Sequence, residues 1–282
     1  MEKRRRRKVF LAQNFLRSPG LVRRLVARSS IGPNDVVYEI GPGKGIITAE
    51  LARAAEKVVA IEKDPKLVRR LRERFRGVEN IEIIEKDFLQ FSIRERDYKI
   101  FANIPYSITA SIVRKILYVP PAPGEAYLIL QKEPARKFSG RPSETLFSLL
   151  AKPFFEFQIV AELKRTDFDP VPDVDSVLLR IARRREPLLQ KGDAALYREF
   201  VRYGFGRWKR HLRSAFKPVF TYKQWKRLSQ DLHFPLNATP TELTFVQWLG
   251  LFKVFKQRPA ITDRAPDWAG CEKVKFRKTW NF

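Results

Sequence analysis

Val36-Val37-Tyr38-Glu39-Ile40-Gly41-Pro42-Gly43-Lys44-Gly45 joins a β-rich apolar run to three alternating glycines, and the chain then passes into the helical pattern of residues 46–53. Glycines at such a point let a strand turn sharply into a helix and let a ligand come close to the backbone. Outward from this stretch the same alternation repeats. Val58–Ile61, Ile81–Ile84, Ile100–Ala102, Tyr127–Leu130 and Val177–Ile181 read as buried strands. Between them lie helical patterns such as residues 66–75, where Leu67, Leu71 and Phe75 recur every four residues behind Asp64-Pro65, a cap followed by a first-turn proline. Strand and helix in alternation predict an α/β, doubly wound, mostly parallel sheet with helices on both faces.

The pattern changes at Arg183-Arg184-Arg185-Glu186-Pro187, read as the domain linker. Beyond it the apolar residues follow helical spacing: Leu196/Phe200/Tyr203, Trp208/Leu212/Phe216, Trp225/Leu228/Leu232 and Phe245/Leu249/Phe252, with Asp193, Thr221 and Thr241 as N-caps. The expected division is a basic arm over 1–8, a sheet domain over 9–184, a small all-helical domain over 185–256 and a tail over 257–282.

The chain of 282 residues carries 56 Lys and Arg against 31 Asp and Glu, a net charge of +25. Such an excess speaks for a polyanionic partner, and nucleic acid is the usual one. A membrane surface is the rival, but no long apolar span is present. The arm Arg4-Arg5-Arg6-Arg7-Lys8 precedes a patch too short and too polar, with Gln13 and Asn14, for a signal peptide. One cysteine, Cys271, permits no internal disulfide, and the lack of Cys/His clusters speaks against a metal site. A cytoplasmic protein acting as a monomer, without metal or membrane, is the expectation.

Polar residues close successive strands. Glu62 ends the second, a little over twenty residues after Glu39, where a doubly wound sheet meets ribose hydroxyls. Asp87 ends the third and could accept from an adenine amine. Asn103-Ile104-Pro105-Tyr106 ends the fourth. There an amide carbonyl, a backbone carbonyl ahead of a proline and an aromatic ring make a holder for an adenine amino group. Plainer readings stand beside these. Nicotinamide enzymes share the glycine loop, Glu62 can be a polar strand end, and Asp87 can cap a helix through Asp87-Phe88-Leu89-Gln90. Asn103 and Tyr106 can simply shape a turn. Ligands in such sheets bind at the carboxyl ends of strands, so four consecutive polar ends favour a site.

Gln13-Asn14-Phe15-Leu16, Glu39–Gly45, Glu62, Lys86-Asp87-Phe88-Leu89, Asn103–Tyr106, Gln131-Lys132-Glu133 and Val174-Asp175-Ser176-Val177 occur in this order. In that series the chain resembles the rRNA adenine N6-dimethyltransferase family over roughly residues 9–256. Isoleucine at 104, with Ser107-Ile108-Thr109 after it, resembles the Erm macrolide-resistance branch, which modifies 23S rRNA, more than the small-subunit (KsgA) branch. The resemblance implies a Rossmann-like methyltransferase sheet and S-adenosyl-L-methionine contacts at Asn14, Leu16, Gly41, Gly43, Glu62, Asp87 and Asn103. It also implies catalytic roles for Asn103, Ile104 and Tyr106. Pro134 departs from the family's helical run and is tolerable only in a first turn, and the tail has no counterpart.

Arg207-Trp208-Lys209-Arg210-His211-Leu212-Arg213 alternates apolar anchors with cations on an expected helix. Arg207, Lys209, Arg210, Arg213 and Lys217 would then turn toward RNA phosphate, although charge runs are often only solvated faces. The reading is therefore N6-methylation, single or double, of an adenosine in 23S rRNA, implying resistance to macrolide, lincosamide and streptogramin B antibiotics. The rivals are a small-subunit rRNA dimethyltransferase and a non-catalytic nucleic-acid-binding factor that keeps the fold.

Overall fold

A computed structural model describes residues 14–206 and 211–257. Its elements run β1 (Phe15–Leu16), α1 (Pro19–Ala27), β2 (Val36–Ile40), α2 (Ile46–Ala52), β3 (Lys57–Glu62), α3 (Pro65–Arg74), β4 (Ile81–Glu85), β5 (Lys99–Asn103), α4 (Thr109–Tyr118), β6 (Glu125–Gln131) and α5 (Lys132–Ser139). They continue with α6 (Leu146–Ala151), β7 (Phe155–Leu163), β8 (Phe168–Asp169), β9 (Ser176–Arg183), α7 (Asp193–Gly206), α8 (Leu212–Ala215), α9 (Tyr222–Asp231) and α10 (Phe245–Lys256). No described helix is long and apolar enough to cross a membrane, and no cluster of metal-ligating side chains occurs among the described residues.

Seven strands form one sheet in the order β4-β3-β2-β5-β6-β9-β7. The first five are parallel, β9 is antiparallel to both its neighbours, and β7 closes the edge. Residues 37–40 of β2 and all of 58–62 in β3 are buried, as strands covered by helices on both faces must be. The six strands expected from sequence all form. A seventh strand, β7 at the edge, forms beyond those six, its Phe155, Phe157 and Ile159 alternating with Glu156 and Gln158. Asp64 caps α3 as expected, accepting from Lys66 N at 2.8 Å with Pro65 at the first position. The buried face of that helix is Val68 and Leu71, while Leu67 and Phe75 are half-buried. Pro134 sits in the first turn of α5, where it costs no helical hydrogen bond.

The described chain divides into two compact units, one holding residues 14–135 and 155–185, the other 136–154, 186–206 and 211–257. The sequence reading placed 136–154 in the sheet domain. Helix α6 in that segment instead buries Leu149 and Leu150 in the core of the helical unit, and Tyr197 Oη donates to Leu149 O at 3.1 Å. Glu144 fastens the segment further: it accepts from Ser148 Oγ at 2.6 Å and from Phe245 N, the first residue of α10, at 3.2 Å. That core is aromatic. Phe200, Phe216, Trp225, Trp248, Phe252 and Phe255 are all nearly or fully buried. Gly204 is needed there, because a Cβ on it would lie 2.4 Å from the Trp248 ring.

Two expectations about this unit change. Helix α10 is capped by Thr244, not Thr241, through a reciprocal pair with Gln247. The helix expected through residues 207–217 is not continuous: residues 207–210 lie outside the described residues, and His211 is extended (φ −56°, ψ 140°) before the four-residue α8.

Candidate active site

In the sheet order β4-β3-β2-β5, helix-linked strands fan out from β2 toward β4, whereas the next strand in sequence, β5, lies on the other side of β2. The crevice between β2 and β5 is therefore the switch point at which open α/β sheets hold ligands. Because these strands are parallel, the glycine loop after β2, Glu62 at the end of β3, Asp87 beyond β4 and Asn103 at the end of β5 share one rim.

The glycine loop is held from beneath. Gly41 N donates to Ile61 O at 2.9 Å, and Gly43 N donates to Glu62 Oε2 at 3.2 Å. The other oxygen of Glu62 accepts from Lys63 N at 2.8 Å and Asp64 N at 3.0 Å. Glu62, 2% exposed, thus orders the turn on both sides of itself besides ending its strand. From above, the Phe15 ring lies against the loop, where a Cβ on Gly43 would fall 2.5 Å from it, and Lys44 Nζ stands 4.9 Å from the ring centre. Strand β1, which carries Phe15, is itself pinned by antiparallel pairing with β8.

Across the crevice, Asn103 Nδ2 donates to Asn14 O at 2.7 Å. With its NH₂ so used, the amide still has Oδ1 as an acceptor that takes no hydrogen bond among the described residues. Ile104 buries its side chain and donates its N–H to Ile129 O at 3.0 Å. Tyr106 is half-buried, and its hydroxyl pairs with the buried Ser176 Oγ at 3.2 Å. Asn14, Phe15, Leu16, Gly41, Pro42, Ile46, Ile47 and Asn103–Tyr106 line one cleft. Asp87 caps a short 3-10 turn by accepting from Leu89 N at 2.9 Å, the plainer role foreseen for it, and is half-buried at the rim.

Glu39 is an unexpected member. It is 1% exposed, and its carboxyl faces the hydroxyl and backbone N–H of Thr48 without either completing a hydrogen bond of full geometry. Burial pushes its carboxyl up to about 8; the nearby Thr48 opposes the shift and the charge of Glu62 adds to it. Together with the open space in front of Gly41, where an added Cβ would meet nothing within 4 Å, these unsatisfied atoms fit a site that takes a polar small molecule at the glycine loop.

Among the cations expected to face RNA, Arg213 is half-buried with its guanidinium 5.7 Å from the Tyr222 ring centre, and Lys217 is exposed. Arg207, Lys209 and Arg210 lie outside the described residues, as do Trp208, the basic arm 1–8, Cys271 and the tail tryptophans Trp268 and Trp280. Phe15, Glu39 and Ser176 belong to the sequence motifs, but their roles emerge only in the fold. Glu39 was legible as a charged residue in an apolar strand; the other two depend on distant partners.

Comparison with known proteins converges on one chemistry. The family model described as Ribosomal RNA adenine dimethylase matches residues 4–257. An rRNA adenine N-6-methyltransferase of Aeromicrobium erythreum is 35% identical over 264 residues, covering 91% of this chain and 76% of the relative. A probable ribosomal RNA small subunit methyltransferase A of Methanosarcina barkeri is 39% identical over 206 residues, covering 72% and 70%. The crystal structure of the 23S rRNA methyltransferase ErmE superposes with a TM-score of 0.81 at 31% identity, covering 86% of this chain and all of that one. The chain belongs to the ribosomal RNA adenine dimethylase family and is an S-adenosylmethionine-dependent rRNA adenine N6-methyltransferase.

Proposed function

We propose that this enzyme methylates N6 of an adenosine in cytoplasmic 23S rRNA, once or twice, and so confers resistance to macrolide, lincosamide and streptogramin B antibiotics. The observation that carries the chemistry is the single cleft lined by both Gly41 and Asn103–Tyr106. The likeness to ErmE and isoleucine at 104 support the large-subunit target. The identity with the Methanosarcina protein supports a second reading, an adenosine of small-subunit rRNA.

Bound at the glycine loop, S-adenosylmethionine supplies a sulfonium methyl. Glu62 would meet its ribose hydroxyls and Asp87 its adenine amine, while Asn14, Leu16, Gly41 and Gly43 enclose the rest. Adenine N6 is a weak nucleophile because its lone pair is conjugated into the ring. Asn103 Oδ1 and the Ile104 carbonyl accept the two N6 hydrogens, which lets the nitrogen pyramidalise and directs its lone pair along the line of transfer. The gain lies in orientation and in stabilising the positive charge that develops on nitrogen. No strong base is required, since the methylated nitrogen is acidic and water takes its proton. Tyr106 stacks on the extruded base and offsets part of the unstacking cost, about a few kcal/mol. Arg213 and Lys217, with Arg207, Lys209 and Arg210, would hold phosphate and position the RNA without specifying its sequence.

Mass spectrometry of rRNA fragments from cells with and without this protein tests the reading. A new N6-methylated adenosine in 23S rRNA is expected, whereas one in small-subunit rRNA alone selects the second reading.

A further inference from the structure

Helix α3 is the most strongly charged of the described helices, with Lys66, Arg69, Arg70, Arg72 and Arg74 against Glu73 alone, and Arg76 follows two residues beyond its end. Like charges fall at i,i+3 and i,i+4 in the pairs 66/69, 66/70, 69/72 and 70/74, each of which opposes the helix. Lys66 also occupies the first turn, the wrong end for a cation. No other described helix carries more than three cations, and several of those cations are paired: Arg202 with Glu199 on α7, Arg227 with Asp231 on α9, and Arg23 of α1 with Glu50. Lys66, Arg69, Arg70, Arg72 and Arg76 are all exposed, and none forms an ion pair among the described residues. A surface that repels itself to this degree gains from a polyanion.

Its placement favours a particular one. Leu71 and Phe75 pack on Gly45, whose Cβ would lie 2.7 Å from Phe75, and the Arg74 guanidinium donates to Lys44 O. The helix is thereby seated on the glycine loop, and the exposed Lys44 and Lys63 extend its charge toward the rim of the site. The outer face offers no large apolar side chain for insertion into lipid, since Val68 and Leu71 are buried and Leu67 is half-buried. From Lys66 to Arg74 the axis rises about 12 Å, enough to follow roughly three phosphates of one strand.

We propose that the exposed face of α3, extended by Lys44 and Lys63, is an RNA-phosphate-binding surface on the sheet unit, additional to the cations of the helical unit. It rests on the rRNA substrate reading and names a part of the surface that holds that substrate.

The test is a triple variant, Arg69→Gln/Arg70→Gln/Arg72→Gln, binding a naked 23S rRNA transcript between 50 and 300 mM KCl, roughly the range over which phosphate contacts are screened. Expected are about tenfold weaker binding at the low end and a log–log salt slope shallower by about 2. S-adenosylmethionine affinity by calorimetry should stay unchanged and thermal stability unchanged or higher. The charge-conserving Arg69→Lys/Arg70→Lys/Arg72→Lys variant should keep the wild-type slope, which separates lost charge from misfolding. An unaltered slope in the glutamine variant overturns the α3 assignment alone. So does loss of binding to phosphatidylserine vesicles with RNA binding intact. Wild-type protein that methylates no rRNA overturns the substrate reading, and this surface with it.

Discussion

The sheet unit and the helical unit spend their polar groups differently. In the helical unit, polar side chains mostly finish structure: Thr221 and Thr244 cap helices, and the Trp225 and Trp248 indoles donate to Leu236 O at 2.9 Å and Pro240 O at 3.1 Å. The aromatic core they surround is satisfied. At the rim of the sheet unit, by contrast, Asn103 keeps an acceptor unused among the described residues and Gly41 faces open space, while the buried Glu39 of β2 and Thr48 of α2 complete no hydrogen bond. Unfinished polar groups on a rigid frame are what a ligand can complete. Substitutions in the helical core should therefore cost stability, and substitutions at the rim should cost chemistry.

The largest effect is expected from Trp225→Ala. It removes a nearly fully buried indole that stacks 6.1 Å from Phe216 and meets Phe234 edge-on at 5.3 Å. Loss of about 3–5 kcal/mol should appear in denaturant unfolding. Asn103→Ala should reverse the pattern, with methyl transfer to rRNA down about 10²–10³-fold and unfolding little changed. Full activity in that variant breaks the comparison on the sheet side; a fully stable Trp225→Ala breaks it on the helical side.

Glu39 joins the two kinds of cost. From the ordinary carboxyl range up to about 8, the folded chain keeps a proton that the unfolded chain releases, so stability falls as pH rises through that window. Each pH unit is worth about 1.4 kcal/mol, or roughly 2–3 kcal/mol between pH 6 and 8. Glu39→Gln keeps the neutral shape and should remove this slope. Unfolding curves of the ligand-free pair, measured across that range, should diverge in the variant's favour as pH rises. Parallel curves would mean that the burial of Glu39 is not what sets its protonation.

Legibility followed the range of the cause. Strands β2, β3, β5, β6 and β9 could be read because burial on both faces writes itself as an apolar run. The alternation of β7 was equally written but weaker, since an edge strand keeps Glu156, Gln158 and Glu162 in water. Thr244 could have been chosen over Thr241 from Gln247 three residues on, the reciprocal capping spacing. The break at His211 left no such mark, because Leu212 and Phe216 are buried in α8 and just after it, as a continuous helix would also have them. The membership of 136–154 in the helical unit depends on Tyr197, 48 residues from the carbonyl it bonds. At the site, the residue types that end the strands were visible. The bond between Asn103 and Asn14, 89 residues apart, was not.

The smallest expected effect probes the most specific rim contact. Tyr106 lines the cleft while its hydroxyl is held by Ser176, which is 1% exposed and fixed at the start of β9. If Ser176 acts by aiming the ring, then Ser176→Ala and Tyr106→Phe delete the same hydrogen bond from its two ends. Each should lower kcat/KM for methyl transfer by a few-fold, in line with about 0.5–1.5 kcal/mol for one such bond. The double variant should then be no worse than either single one. Tyr106→Ala, which removes the whole ring that the proposed mechanism stacks on the base, should lose more than all three. Additive losses in the double variant would place Ser176 in the packing beneath β9 instead of in the alignment of the base, and equal losses in Tyr106→Phe and Tyr106→Ala would take stacking out of the mechanism.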